Sequence, residues 1–114
     1  MSLLSYLFGR NSKQKDVIKT IKKHELKEIL KTKTIQLVDV RTPTEYKKGH
    51  IKKALNINFF NQNKFVSEFK KMNKETPIYI YCRSGNRSSK AAKQLADLGF
   101  KNIYDLKQGY MNWE

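Results

Sequence analysis

Cys82 is the only cysteine in a chain of 114 residues. It stands where an apolar run, Pro77-Ile-Tyr-Ile-Tyr81, gives way to a helix-like run opening at Ser88. A helix N-terminus presents unpaired N–H groups and the positive end of the backbone dipole. A thiol placed there gives up its proton more readily, and the thiolate is the nucleophile. The intervening residues suit that chemistry. Gly85 lets the backbone turn tightly with its N–H groups pointing inward. Asn86 tolerates unusual backbone angles, and Ser84, Ser88 and Ser89 can cap or line the turn. Arg83 and Arg87 bring positive charge. Together, Cys82-Arg83-Ser84-Gly85-Asn86-Arg87-Ser88 reads as an anion nest around a reactive sulfur. A cysteine and an arginine five positions apart would be weak evidence alone; these neighbours carry the reading.

The elements that must position this loop alternate in type. Val17–Ile21 is a short β-branched run, followed by Leu26, Ile29 and Leu30 on one helical face. Ile35–Val40 is apolar enough for a buried strand. Thr42-Pro43-Thr44-Glu45 then predicts a helix start, with Thr42 as cap, Pro43 in the first position and Glu45 completing a capping box. Gly49 ends that helix. Ala54–Ile57 reads as a further strand, and Phe65, Phe69 and Met72 form a helical core stripe. Pro77–Tyr81 is the strand before the loop. The helix after it buries Ala91, Ala92, Leu95, Ala96 and Leu98, with Gly99 at its left-handed end and Phe100 packing back on Leu95. Asn102–Leu106 is the last strand, and Gly109–Trp113 a terminal turn. Five strands separated by helices predict an α/β fold with a central, mostly parallel sheet flanked by helices. In such sheets sites form beyond the carboxyl ends of strands, where both Asp39-Val40-Arg41 and Cys82 lie.

Composition bounds the alternatives. A hydrophobic fraction of 39% and a charged fraction of 30% describe one soluble domain. One cysteine excludes an internal disulfide, and His24 and His50 stand apart with no zinc-ligand spacing; a cytoplasmic protein is expected, with no metal and no cofactor. The net charge of +14 comes mostly from lysines scattered along the chain, the arginines being Arg10, Arg41, Arg83 and Arg87. Such scatter describes a solvated surface, so no specific nucleic-acid binding is expected, although the field would draw small anions. Residues 1–16 read as an N-terminal tail. Their apolar stretch, Met1 to Phe8, is too short to span a bilayer, and no membrane contact is expected of it. Residues 17–114 form the domain.

The chain resembles the single-domain rhodaneses, which are sulfurtransferases. The resemblance rests on Leu37-Val-Asp-Val-Arg41, Glu45-Tyr46, Gly49-His-Ile51, Ala54-Leu-Asn-Ile57, Cys82-Arg-Ser-Gly-Asn-Arg-Ser88, Leu98-Gly-Phe100, and Gly109 with Trp113. It covers roughly residues 17 to 114 in the family's order. It implies the rhodanese-like fold and a ping-pong transfer. Cys82 would take a sulfane sulfur from a small anionic donor such as thiosulfate, and pass it from a persulfide to cyanide, an external thiol or a protein acceptor. Arg83 would attract the anionic donor. Arg87 would either bind the donor or brace the loop through a nearby carboxylate. Asp39 and Arg41 would support the loops by ion pairing, Glu45 would serve its helix cap, His50 would be a turn residue and Trp113 a core residue. The family often has Gly-Ala where this chain has Lys53-Ala54. No second cysteine is present, so the persulfide would have to be discharged by another molecule.

Two other readings compete. Cysteine-dependent phosphatases and arsenate reductases of the same general fold use a similar loop, with one residue more between cysteine and arginine to hold a tetrahedral oxyanion. Only Arg83, Ser84, Gly85 and Asn86 intervene here, which favours the smaller sulfane sulfur. A persulfide carrier or binding module serving a protein partner is the other reading.

Overall fold

Five of the β-branched and aromatic runs become strands in the computed structural model, which describes residues 16–114. They are β1 Ile18–Ile21, β2 Gln36–Asp39, β3 Leu55–Asn56, β4 Ile78–Tyr81 and β5 Ile103–Leu106. Four helices lie among them: α1 Lys23–Thr32, α2 Pro43–Lys48, α3 Gln62–Lys70 and α4 Asn86–Asp97. A 3₁₀ turn, Tyr110–Asn112, follows β5. Apart from Asp16, the expected tail lies outside the described residues.

The strands form one sheet in the order β1-β5-β4-β2-β3. Every pairing is parallel, which sharpens the expectation of a mostly parallel sheet. A parallel pair needs a crossover, and the helices supply it, covering both faces. Alternation along the strands sorts the core accordingly. Val38, Ile78, Ile80, Cys82 and Ile103 point to the face carrying Phe65 and Phe69 of α3 and Ala91, Ala92 and Leu95 of α4. Leu37, Tyr79, Tyr81 and Leu106 point to the other, against Leu26 of α1 and Tyr46 of α2. The edge strand β3 is shorter than the apolar run Ala54–Ile57 suggests, with two residues in register on β2.

Local signals at the helix ends are realised. Thr42 Oγ1 accepts the Glu45 N–H at 3.3 Å and Glu45 Oε1 accepts the Thr42 N–H at 3.1 Å, closing the capping box of α2. Gly99, at φ +105, ends α4. There the Phe100 N–H donates to the Leu95 carbonyl and the Gly99 N–H to that of Ala96, the double closure of a Schellman motif. One boundary differs. The helix after Cys82 begins at Asn86 rather than Ser88, because Gly85 takes the left-handed turn (φ +112) and so starts the helix two residues earlier.

Candidate active site

β4 lies between β2 and β5 in the sheet, so the residue that follows it emerges at the middle of the carboxyl edge. That residue is Cys82, 1% exposed. Its Sγ accepts the Gly85 N–H at 3.1 Å and lies 3.4 Å from Ser88 Oγ. Ser88, buried in the first turn of α4, also donates to the Gly85 carbonyl at 3.3 Å. The expected ring of inward amides thus narrows to one N–H on the sulfur, with the Ser88 hydroxyl as the second contact. Asn86 has no left-handed backbone; that role falls to Gly85. Arg83, Ser84 and Asn86 have exposed side chains on the rim.

Beneath the loop, the chain after β5 holds its backbone in place. The Tyr110 N–H donates to the Cys82 carbonyl at 2.8 Å and the Met111 N–H to the Arg83 carbonyl at 3.0 Å. Gly109 makes that approach possible: at φ +58, a Cβ there would come within 2.5 Å of both the Cys82 and Arg83 carbonyl oxygens.

The two supporting ion pairs differ in setting. Asp39 is fully buried and takes Arg41 Nη2 at 2.6 Å and Nε at 3.0 Å. Arg41 also donates to the Gly49 carbonyl at 2.7 Å and lies 4.4 Å over the Tyr110 ring. This knot ties the end of β2 to the end of α2 and to the turn under the loop. The second pair joins Arg87 to Glu45, through two hydrogen bonds of 2.7 and 3.0 Å. Arg87 and the Thr42 backbone together hold the Glu45 carboxyl at about 2, well below the usual carboxylate range. Glu45 therefore serves both its own cap and the arginine of the loop. Arg87 thus bonds a nearby carboxylate, the contact that the bracing reading expects of it.

The other residues singled out are peripheral to the sulfur. His50 is exposed, stacked on Tyr46 at 3.6 Å between ring centroids, with Nδ1 2.8 Å from the Tyr46 carbonyl. Trp113 is half-buried, with Lys27 Nζ 4.9 Å over its ring, rather than a full core residue. Lys53, where the family often carries glycine, has φ +73. Beside the loop opens a cleft of about 370 Å³ lined by Arg41, Glu45, Lys48, Gly49, Arg83, Tyr110 and Met111. It combines cationic side chains with an exposed methionine next to the cysteine loop. Sequence reasoning missed the Gly109 approach, the backbone bonds of Tyr110 and Met111, and Asp105, a buried carboxyl in β5. A charged residue inside the apolar run Ile103–Leu106 was the available signal for the last.

Comparison with known proteins agrees with this geometry. Residues 22–114 match the model of the rhodanese-like domain. A thiosulfate sulfurtransferase, GlpE, of Coxiella burnetii is 32% identical over 96 residues, covering 84% of this chain and 87% of that protein. The tRNA uridine(34) hydroxylase of Pelagibacter ubique is 35% identical over 85 residues, but the match spans 28% of that larger protein. Among solved structures, a rhodanese-like domain protein from Staphylococcus aureus superposes with a TM-score of 0.74 at 32% identity, over 84% of this chain and 91% of that one.

Proposed function

The chain belongs to the rhodanese-like domain family, and from that premise we propose that it is a cytoplasmic sulfurtransferase working through a Cys82 persulfide. Cys82 thiolate attacks the outer sulfur of thiosulfate or a similar small anionic donor. The S–S bond of the donor breaks, sulfite leaves with the bonding pair, and Cys82 carries the extra sulfur as a persulfide anion. An external thiol, a protein acceptor or cyanide then attacks that terminal sulfur and Cys82 leaves as thiolate. The Gly85 N–H donates to the sulfur and stabilises negative charge there in both half-reactions, and the Ser88 hydroxyl, 3.4 Å from Sγ, joins it by turning from the Gly85 carbonyl to the thiolate. Arg83, exposed on the rim of the adjoining cleft, supplies charge to draw in the donor.

The observation that carries this reading over phosphate transfer is the engagement of Arg87. Both terminal nitrogens of Arg87 bind Glu45, so the fork that would clamp a phosphoryl group is already occupied. The single loop amide on Sγ also suits one sulfur atom better than three equatorial oxygens.

The test is steady-state kinetics with thiosulfate and cyanide, run beside hydrolysis of an aryl phosphate. Parallel double-reciprocal lines for sulfur transfer, with no phosphatase turnover, are expected. Phosphate release without thiocyanate formation would replace this reading with the phosphatase one. Transfer to a protein acceptor but not to cyanide would make the chain a persulfide carrier.

A further inference from the structure

The cleft beside the Cys82 loop is larger than a small inorganic donor requires. Its volume, about 370 Å³, falls in the range of sites that take organic ligands. The charges around it do not cancel. Arg41 is held by Asp39 and by the Gly49 carbonyl, and Glu45 is held by Arg87. Lys48, in the last turn of α2, and Arg83, next to the cysteine, line the same cleft with exposed side chains. Among the described residues neither of these two side chains has a hydrogen bond or an ion pair. Glu114, which accepts from the Tyr110 hydroxyl at 3.0 Å, is outside the lining. The cleft therefore carries two unmatched positive charges. Apolar surface accompanies them. Met111 is 66% exposed, and its N–H bonds the Arg83 carbonyl, which ties the two residues side by side. An unbranched thioether is an adaptable contact for a carbon chain. The Tyr110 ring, 4.4 Å from the Arg41 guanidinium, adds a second such surface. A persulfide on Cys82 has no second cysteine in the chain to discharge it.

We propose that this cleft is the acceptor subsite, and that its ligand is an organic thiol bearing a carboxylate. Lys48 and Arg83 bind the carboxylate, and Met111 and Tyr110 take the carbon chain. The inference rests on the reading of Cys82 as the sulfur-carrying nucleophile. In the discharge step the acceptor thiol gives its proton to solvent, and the thiolate attacks the terminal sulfur of the persulfide. A bond forms between those two sulfurs. The S–S bond to Cys82 breaks, and Cys82 leaves with the bonding pair as thiolate. The product is an organic persulfide, and no oxidant or reductant is consumed. Thiosulfate and cyanide carry no carbon chain for Met111 to hold, so the subsite discriminates among acceptors.

The experiment compares glutathione, a thiol with carboxylates at both ends, with its diethyl ester as acceptors from the thiosulfate-loaded protein. The readout is the ratio of their kcat/KM values in wild type, Lys48→Gln and Lys33→Gln. Lys33, the exposed C-cap of α1, precedes β2 and so lies at the opposite edge of the sheet. Its loss lowers the net charge without touching the cleft. Comparing one ratio across variants cancels any difference in thiol reactivity between the two probes. Lys48→Gln should lower the preference for glutathione by about fivefold, the upper end for an exposed charge pair, through the acceptor KM. Lys33→Gln should keep the wild-type ratio. An unchanged ratio in Lys48→Gln, or an equal fall in both variants, would overturn the proposal, the second by tracing the preference to the overall field. Amide NMR with S-methylglutathione, which cannot accept sulfur, separates binding from transfer. Saturable shifts at Gly49, Tyr110 and Met111 that weaken in Lys48→Gln are expected. Such shifts in a protein that takes no sulfur from thiosulfate would keep the subsite and remove the sulfur-transfer reading. Sulfur uptake with no shifts and no preference would do the reverse.

Discussion

Arg87 and Glu45 meet in a two-point ion pair, Nη1 to Oε1 at 2.7 Å and Nη2 to Oε2 at 3.0 Å, across 42 residues of sequence. The pair fastens the first turn of α4, which carries Ser88, to the first turn of α2, which the buried Asp39–Arg41 knot already anchors at its far end. The geometry around Cys82 is thus held from outside its own loop. Because Arg87 lowers the Glu45 pKa to about 2 from 4.5, the pair stabilises the fold fully above the unfolded value near 4.5. That contribution is lost as the pH falls through 2. Glu45→Gln should lower stability by about 1 kcal/mol at pH 7, as a partly exposed two-point pair does, and the difference from wild type should shrink on acidification. Thermal unfolding at pH 7 and pH 3 checks this; a deficit that grows with acid would contradict it.

Gly109→Ala is expected to be the most damaging small substitution near the site. The added methyl would lie 2.5 Å from two backbone oxygens that cannot rotate away, at a φ of +58 that disfavours any side chain. A loss of about 3 kcal/mol or more follows from overpacking combined with backbone strain. Denaturant unfolding measures it, and a loss below about 1 kcal/mol would mean that the Tyr110 and Met111 contacts to the loop yield freely.

Much of this fold follows from local pattern. The apolar runs mark the strands, the Thr42–Glu45 spacing marks the start of α2, and Gly99 with Phe100 marks the end of α4, because each depends on residues within a few positions of one another. The prominence of Cys82 comes from the same local signals. What escaped them is tertiary. Arg87 binding Glu45, Gly109 lying under the Cys82 carbonyl, and the burial of Asp105 between β1 and β4 arise only when the strands are aligned. The start of α4 at Asn86 rather than Ser88 depends on the left-handed backbone that Gly85 takes in the folded loop. Residues 1–15 lie outside the described residues.

Lys53 occupies a left-handed position, φ +73, immediately before Ala54. A side chain there costs about 1 kcal/mol, part of which the extra unfolded-state freedom of glycine gives back. Lys53→Gly should therefore stabilise the protein by up to about 1 kcal/mol with sulfur transfer unchanged. A destabilised variant in chemical unfolding would show that the lysine side chain contributes packing that outweighs the strain.

Asp105 gives stability a pH dependence of the opposite sign from Glu45. Its folded-state value is raised to about 6 from 3.8, so wild type loses stability as the pH rises from about 4 to about 6. At 1.36 kcal/mol per unit the loss is at most about 3 kcal/mol. Asp105→Asn should match wild type near pH 3.5 and exceed it at pH 7.5. Equal pH dependence of the two melting curves would show that the carboxyl ionises without penalty.

The central claim, that Cys82 carries sulfur, is tested most directly by intact mass after incubation with thiosulfate. Wild type should gain one sulfur atom, the gain should vanish on adding a reducing thiol, and Cys82→Ser should gain nothing. An unchanged wild-type mass, or an equal gain in Cys82→Ser, would contradict it.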